Sequence, residues 1–349
     1  MITNDGDNDL FTKYIHSALW RSGRTTGLLP KQYDRLYSDE FPKQFEIMAT
    51  RLGKGGFGTV HLVIDTNRKD EEKFVAKKIS QSQKDLSKWM NEASILIKLR
   101  HERIVQFHGF QKNETEIDLF LEFIKLGTLA DFIKRNIRLN VELTRHFTIQ
   151  ILEGVKYLHE NNILHLDIKG NNILMADESN IKLTDFGLST IFTEEEGVQA
   201  ERGTTRYMAP EMVDCPDGKI FEHAKSLDIW SVGCTVVEMA TGSPPNSTTS
   251  SQAVLFQKAM LTKPKYELPV TASKYLIEFL DKTFMIKASD RPSAESLLKD
   301  DPFITGLMLT RIFGHMCVRS LATGVLNSKA SCRSVGSSDL LTFAGLSAP

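Results

Sequence analysis

The chain has 349 residues, more than one compact core usually holds, so a two-lobed body with extra sequence at its ends is expected. Its 43 Lys and Arg nearly cancel its 44 Asp and Glu, which leaves no basic footprint for nucleic acid or an anionic membrane surface. Four cysteines, Cys215, Cys234, Cys317 and Cys332, lack paired spacing, so neither a disulfide framework nor a zinc site is indicated and free thiols in a reducing compartment are expected. The first ten residues, MITNDGDNDL, are acidic and polar where a signal peptide needs a basic flank and an apolar stretch. Ile2 excludes glycine myristoylation, the end GLSAP carries no prenylation cysteine, and no apolar run reaches bilayer-spanning length. A cytoplasmic protein without membrane insertion is the expectation.

Residues 1–44 mix aromatic and polar side chains and read as an N-terminal extension, partly ordered at most. Between Phe41 and Ile79 three β-like runs, FEIMATRL, GTVHLVID and KFVAKKI, alternate with Gly-rich or charged turns, which predicts antiparallel strands joined by hairpins. Asp85 to Arg100 changes to helical spacing, with Trp89, Ala93, Leu96 and Ile97 on one face, and IDLFLEFI supplies a further strand. Residues 45–124 are therefore expected to form a small lobe of sheet plus one helix. Beyond the Gly127 turn the pattern is mainly helical, with Phe147, Ile151, Val155 and Leu158 at near-helical intervals, so residues 125–303 read as a larger helical lobe. Residues 304–349, rich in Ser, Ala and Gly towards the end, read as a largely flexible extension. Within it Leu307 to Cys317 is expected to extend the second lobe as a helix. Either extension is a place for a regulatory partner.

Several stretches carry chemistry. In GKGGFGTV, Gly53, Gly55 and Gly58 stand in G-x-G-x-x-G spacing, which lets backbone amides approach a phosphate with no side chain between. Taken alone the run is equally a hairpin turn; a dinucleotide fingerprint is disfavoured because the chain continues as strand rather than helix. In VAKK the fourth position is Lys78, where an ammonium can pair with nucleotide phosphates and with a helix carboxylate, for which Glu92 is the candidate. Lys77 is the rival, and strand alternation points it to the opposite face from Lys78. In HLDIKGNNIL, Asp167 sits where a base could accept a substrate hydroxyl proton, Lys169 could neutralise a moving phosphoryl group, and Asn172 offers a neutral oxygen to magnesium. Asp185 of the DFG run would supply the charged metal ligand. Either loop alone could be an ordinary Asx turn.

The ordered set of GKGGFG, Lys78, Glu92, Asp167 with Asn172, Asp185, and Ala209-Pro210-Glu211 resembles the eukaryotic protein kinase family over about residues 45 to 303. The resemblance implies an α+β, two-lobed fold with ATP and magnesium in the cleft. It also implies a hinge of Glu122, Phe123 and Ile124 following Leu121 as gatekeeper, and an adenine site of Val60, Ala76 and Leu174. Lys169 and Thr204 in GTTRYMAPE match the serine/threonine pattern. HLDIKGNNIL, GTTRYMAPE and DIWSVGCTVVEMATGSPP resemble the sterile group, most closely its MAP kinase kinase kinase branch, which implies a protein substrate, a MAP kinase kinase, and no nucleic acid partner. An inactive kinase-like scaffold, a sterile-group kinase of another branch and a small-molecule kinase are the alternatives.

Other polar residues read as structural by the same resemblance: His165 as a packing residue near Phe186, Asp228 as an anchor for catalytic-loop amides, and Glu211 with Arg291 as a buried ion pair. One position departs from the group. Leu166 precedes the catalytic aspartate where most members carry arginine, so a phosphorylated activation loop is expected to have less leverage here. The acidic run Glu194 to Glu196 reads as a solvated charge run rather than a phosphate substitute.

Overall fold

A computed structural model describes residues 35–37 and 45–306, apart from 56–57, 66–72, 81–90, 113–115, 194–196, 200–202, 214–218, 221 and 261. Expectations for Trp89, Glu194 to Glu196, Leu307 to Cys317, Cys215, Cys317 and Cys332 fall outside these residues.

The three β-like runs form strands β2 (Phe45–Gly55), β3 (Gly58–Asp65) and β4 (Lys73–Ser80), and they are joined by β5 (Phe107–Lys112) and β6 (Glu116–Glu122). β-branched and aromatic side chains fill these runs, and Gly55 opposite Gly58 closes the β2–β3 hairpin. A short strand not foreseen in the sequence, β1 (Arg35–Tyr37), adds to the far edge of the same sheet by pairing antiparallel with β5. All six lie in the order β1-β5-β6-β4-β3-β2. Helix α1 (91–96) is buried all round: Ala93 and Leu96 of the predicted face lie in the core with Ile97 just beyond it, and Glu92, Ser94 and Ile95 are buried as well.

The second lobe is built on helices. Helix α2 (Leu129–Asn136) starts at a capping box in which Thr128 and Asp131 satisfy each other's backbone amides, and it precedes α3 (Val141–Glu160). The predicted stripe Phe147, Ile151, Val155 and Leu158 is fully buried on α3. Against it lies α4 (Lys225–Thr241), buried on all sides from Ser226 to Ala240 and ended by Gly242 in the left-handed conformation. Gly242 can be nothing larger, because a Cβ there would meet the Ile137 carbonyl oxygen at 2.0 Å. Between the lobes run the short strands β7 (Ile163–Leu164), β8 (Ile173–Met175), β9 (Ile181–Leu183) and β10 (Thr190–Ile191), which carry the polar loops of the cleft. One continuous apolar core spans both lobes, from Leu119 and Leu121 of the sheet to Phe303. No described helix is long and apolar enough to cross a membrane.

Two charged groups buried in the second lobe, Asp228 and Arg291, hold its loops. Asp228 on α4 accepts hydrogen bonds from the amides of His165 (3.0 Å) and Leu166 (2.8 Å) and pairs with His159 Nε2 at 2.9 Å. Burial works to raise its carboxyl pKa, but those bonds and the neighbouring histidines hold it below the usual range, so it stays charged. Arg291, itself fully buried, grips Glu211 with two parallel bonds of 2.5 and 2.7 Å, the pairing expected from the sequence. It also donates to the Met285 carbonyl and stacks on Trp230. Because Glu211 would be left opposite an apolar void, Arg291→Met is expected to lower unfolding free energy by about 3–5 kcal/mol. Urea unfolding monitored by Trp fluorescence measures it.

Candidate active site

The site depends first on which face of β4 meets the cleft. In an antiparallel sheet, residues directly opposite each other share a face. Val60 lies opposite Lys77, and Leu62 opposite Val75, across β3–β4. Across β4–β6, Val75 faces Leu121 and Lys77 faces Leu119. Leu119 and Leu121 belong to the main core, so Val60, Val75, Lys77 and Leu121 point to the cleft side. Phe74, Ala76 and Lys78 point the other way, and Ala76 packs there with Val63, Phe74 and Phe120 in a separate cluster.

Two sequence assignments are therefore corrected. Lys77, not Lys78, meets Glu92: its Nζ donates to the two Glu92 oxygens at 2.7 and 3.0 Å and to Asp185 Oδ1 at 2.8 Å. Lys78 Nζ instead lies 3.3 Å from Asp118 on the outer face. Ala76, expected in the adenine site, faces away from the cleft, and Val75, opposite Leu121, occupies the cleft face in its place. The physical reason is the period of two: a one-residue slip in matching V-A-x-K moves the whole set to the wrong side of the sheet. Because both faces of β4 are covered, apolar and polar positions do not alternate cleanly enough to reveal the slip. The phase of Val60 across the hairpin is the signal that would have found it.

Burial alone would lower the Lys77 pKa, but the Glu92 and Asp185 carboxylates outweigh that and hold it well above the ordinary lysine value. The same ammonium overrides the effect of burial at Asp185 and depresses its carboxyl pKa. Asp185 has left-handed backbone angles (φ 62°, ψ 73°), a conformation that turns its carboxylate to Lys77 while the next residue, Phe186, goes fully into the core. His165 backs this turn, its ring 5.0 Å from that of Phe186 and its Nε2 3.1 Å from the Thr184 carbonyl, which is a packing role. Helix α1 is tied to the same segment by Asn91 donating to the Ser189 carbonyl at 2.6 Å.

Asp167 gathers a second group of side chains. Lys169 Nζ donates to its Oδ2 at 2.7 Å and to Thr204 Oγ1 at 2.6 Å, while the Thr204 hydroxyl donates to Asp167 Oδ1 at 2.6 Å. Asn172 Nδ2 donates to the Asp167 carbonyl and carboxylate at 2.9 and 2.8 Å. Leu166, preceding this aspartate, has φ 64° and a side chain 6% exposed in the apolar core. Gly203 rides over its carbonyl so closely that a Cβ there would come within 2.7 Å. Gly170 is packed on Glu238, whose carboxylate accepts from the Gly170 amide and from the Tyr207 hydroxyl.

The donor set fits a hard cation. Asn172 uses its amide N–H groups on Asp167, and Asp185 gives one oxygen to Lys77, which leaves the Asn172 amide oxygen and the second Asp185 oxygen for magnesium. Two protein oxygens suit magnesium, which keeps waters and substrate phosphates in its other positions. Gly53, Gly55 and Gly58 lie on the β2–β3 hairpin above the same face as Val60. Leu174 on β8 is half-buried and bridges to Thr128. Glu122 commits its carboxylate to Lys182 at 2.7 and 2.8 Å and to the Gln106 amide at 3.1 Å, and its own amide donates to the Gln106 carbonyl at 2.9 Å, so its side chain and amide are already engaged.

Residues 47–304 match the protein kinase domain family model. The chain is 39% identical over 258 residues to mitogen-activated protein kinase kinase kinase 3 of Mus musculus, an alignment covering 71% of this chain and 40% of that protein. It is 32% identical over 268 residues to mitogen-activated protein kinase kinase kinase A of Dictyostelium discoideum, with 73% and 27% covered. With MAP3K epsilon protein kinase 1 of Brassica napus it shares 35% over 259 residues, with 72% and 19% covered. This chain belongs to the protein kinase family, and it spans less than half the length of these relatives.

Exchanging the two lysines separates the two registers. Lys77→Met is expected to lower phosphoryl transfer by about 10²-fold or more, the size of losing one preorganised charge in a closed site. Lys78→Met should leave transfer by the folded protein within about tenfold and lower its melting temperature instead, since Asp118 loses its ammonium. Radiolabelled ATP assays and thermal scans on both variants decide the matter; a dead Lys78→Met with an active Lys77→Met would restore the first register.

Proposed function

We propose that this chain is a protein serine/threonine kinase that transfers the γ-phosphoryl group of ATP to protein hydroxyls, acting on MAP kinase kinases. The reading is carried by one arrangement: Asp167, Lys169 and Thr204 joined in a closed hydrogen-bonded triangle, beside a Lys77 held between Glu92 and Asp185. The names of the relatives support the substrate class.

In this reading Lys77 binds the non-transferred phosphates and is kept charged and in place by Glu92. The amides of the Gly53–Gly58 hairpin cover the phosphates, and Val60, Val75, Leu121 and Leu174 enclose the adenine, with hinge backbone groups of Glu122 and Phe123 as its polar partners. Asn172 and Asp185 hold magnesium, which when bound neutralises charge on the phosphate oxygens. Asp167 orients the substrate hydroxyl and takes its proton as the oxygen bonds to the γ-phosphorus and the bond to the ADP oxygen breaks. Lys169 neutralises charge on the phosphoryl oxygens in transit. Thr204 locks Asp167 and Lys169 into register, so serine or threonine is the acceptor that this loop positions.

Leu166 bears on regulation. Its side chain is packed in the core where a cation would otherwise gather a loop phosphate, and each such charge-assisted bond would be worth about 1.5–3 kcal/mol. Phosphatase treatment, and Thr190→Ala or Thr193→Ala, are therefore expected to change turnover by less than about tenfold. A larger dependence on either threonine or on phosphatase would contradict this. Incubation with labelled ATP and purified MAP kinase kinases, followed by site mapping, tests the substrate; label on their activation-loop serines or threonines is the expected outcome. Equal background signal from the wild type, Lys77→Met and Asp185→Asn would favour a scaffold instead.

A further inference from the structure

The segment that follows Thr204 is held by three side chains at three successive carbonyls. Residues 205–207 form a turn, closed by the Tyr207 amide donating to the Thr204 carbonyl at 2.8 Å. The carbonyls of Arg206, Tyr207 and Met208 then all reach side chains of two helices. From α4, Cys234 Sγ donates to the Arg206 carbonyl at 3.6 Å and Ser231 Oγ to that of Tyr207 at 2.8 Å. From α5 (Ser251–Ala259), Lys258 Nζ donates to that of Met208. Burial pushes the Cys234 thiol pKa up to about 12, so the thiol keeps the proton it donates.

Lys258 differs from the other two donors because it carries a charge. It is 3% exposed, and Glu211, the carboxylate that acts on it through space, is committed to Arg291. Its ammonium lies 5.5 Å from the centre of the Trp230 ring, on which Arg291 also stacks. Burial, with Arg291 adding to it, presses the Lys258 pKa below the ordinary lysine value against the pull of Cys234 and Glu211. A buried ammonium whose hydrogen bond goes to a carbonyl rather than a carboxylate is costly to keep, and an apolar side chain of similar length would fill the space beside Trp230 without that cost. The charge is thus spent on the Met208 carbonyl rather than on packing. The other end of the same segment shows what that carbonyl governs. Thr204 donates to Asp167 and accepts from Lys169, so residues 204–208 start at the carboxylate of the catalytic triangle and run beside any polypeptide whose hydroxyl reaches it. Between the two ends, the Arg206 guanidinium donates to the Asn246 and Thr249 carbonyls at 3.3 and 2.9 Å.

We propose that Lys258 is a positioning residue for the protein substrate: from α5 it fixes the Met208 end of the segment that begins at Thr204, so that the wall beside the acceptor hydroxyl is preformed. The inference rests on the kinase reading above and adds to it a residue that bonds to neither Asp167 nor Lys169. Ser231 and Cys234 hold the two preceding carbonyls in the same way from α4.

Two variants of the full chain test this. Lys258→Met keeps an apolar stem beside Trp230 and removes the ammonium, whereas Lys258→Arg keeps a charged donor. Initial rates are measured with labelled ATP and a purified MAP kinase kinase, with dephosphorylated casein as a second acceptor. In Lys258→Met the KM for the protein acceptor is expected to rise about tenfold, while the KM for ATP and the rate of ATP hydrolysis without acceptor stay within about twofold. Lys258→Arg is expected to return the protein KM to within about threefold of wild type. Amide exchange in peptides covering residues 204–209 should quicken about tenfold in the Met variant and stay near the wild-type rate in the Arg variant. Should Lys258→Met not fold, Ser231→Ala, which removes the neighbouring donor, is expected to raise the same KM about threefold. An unchanged protein KM overturns the proposal, and so does an equal loss of ATP hydrolysis and of transfer, which a smaller folded fraction would produce. A wild type that labels neither acceptor sinks the kinase reading and this proposal with it; an active wild type matched by Lys258→Met sinks the proposal alone.

Discussion

The ion pair between Lys77 and Glu92, extended to Asp185, ties together three parts of the molecule that are far apart in the chain. It joins a strand of the sheet, the helix beside it and the loop at the floor of the cleft, at 2.7, 3.0 and 2.8 Å. A buried charge of this kind costs several kcal/mol in desolvation, and it persists because each partner is itself held. Helix α1 presents Glu92 from among Ala93, Leu96 and Ile97, all in the core, and Asn91 pins the helix to Ser189. Asp185 is aimed by its left-handed backbone and by the burial of Phe186. Any shift of the helix breaks a charge pair inside the protein, so the arrangement favours one closed geometry over intermediate ones.

The other half of the site is anchored from below. Asp228 on α4 holds the amides of His165 and Leu166, and these set the position of Asp167 one residue on. Asp167 then organises Lys169, Asn172 and Thr204, which come from two segments brought together only in the folded state. A polar network like this is stable because nearly every bond is charge-assisted and shielded from water. The loop that carries Asp167 thus has a rigid helix for its foundation, while Lys77 rests on a sheet. The Leu166 side chain joins the apolar core between them, so packing contributes to the position of Asp167.

Much of this was legible from residue patterns. The helical stripe of α3 is buried as its spacing indicates, the predicted strands form, and Glu211 with Arg291 and His165 with Phe186 meet as expected. Asp167, Lys169, Asn172 and Asp185 are short local signatures, and the loops that carry them keep their local order. The lysine was not legible in the same way. Lys77 and Lys78 are adjacent, chemically identical and both beside carboxylates, so the side chains themselves hold no information about which enters the cleft. The added strand β1 was also hidden, because three residues at a sheet edge carry too little pattern to stand out from their surroundings.

The amino-acid sequence by itself determined the family, the two-lobed architecture and the identity of the loop residues, because those follow from local composition and from spacings along the chain. Only the tertiary structure decided the facing of β4, and with it that Lys77 and Val75 rather than Lys78 and Ala76 line the cleft. A strand presents opposite neighbours to opposite sides, so its facing is set by what packs on each side and by the register of its partners. Those contacts are between residues distant in sequence, and they come into being only when the sheet, the helix and the second lobe have closed on one another.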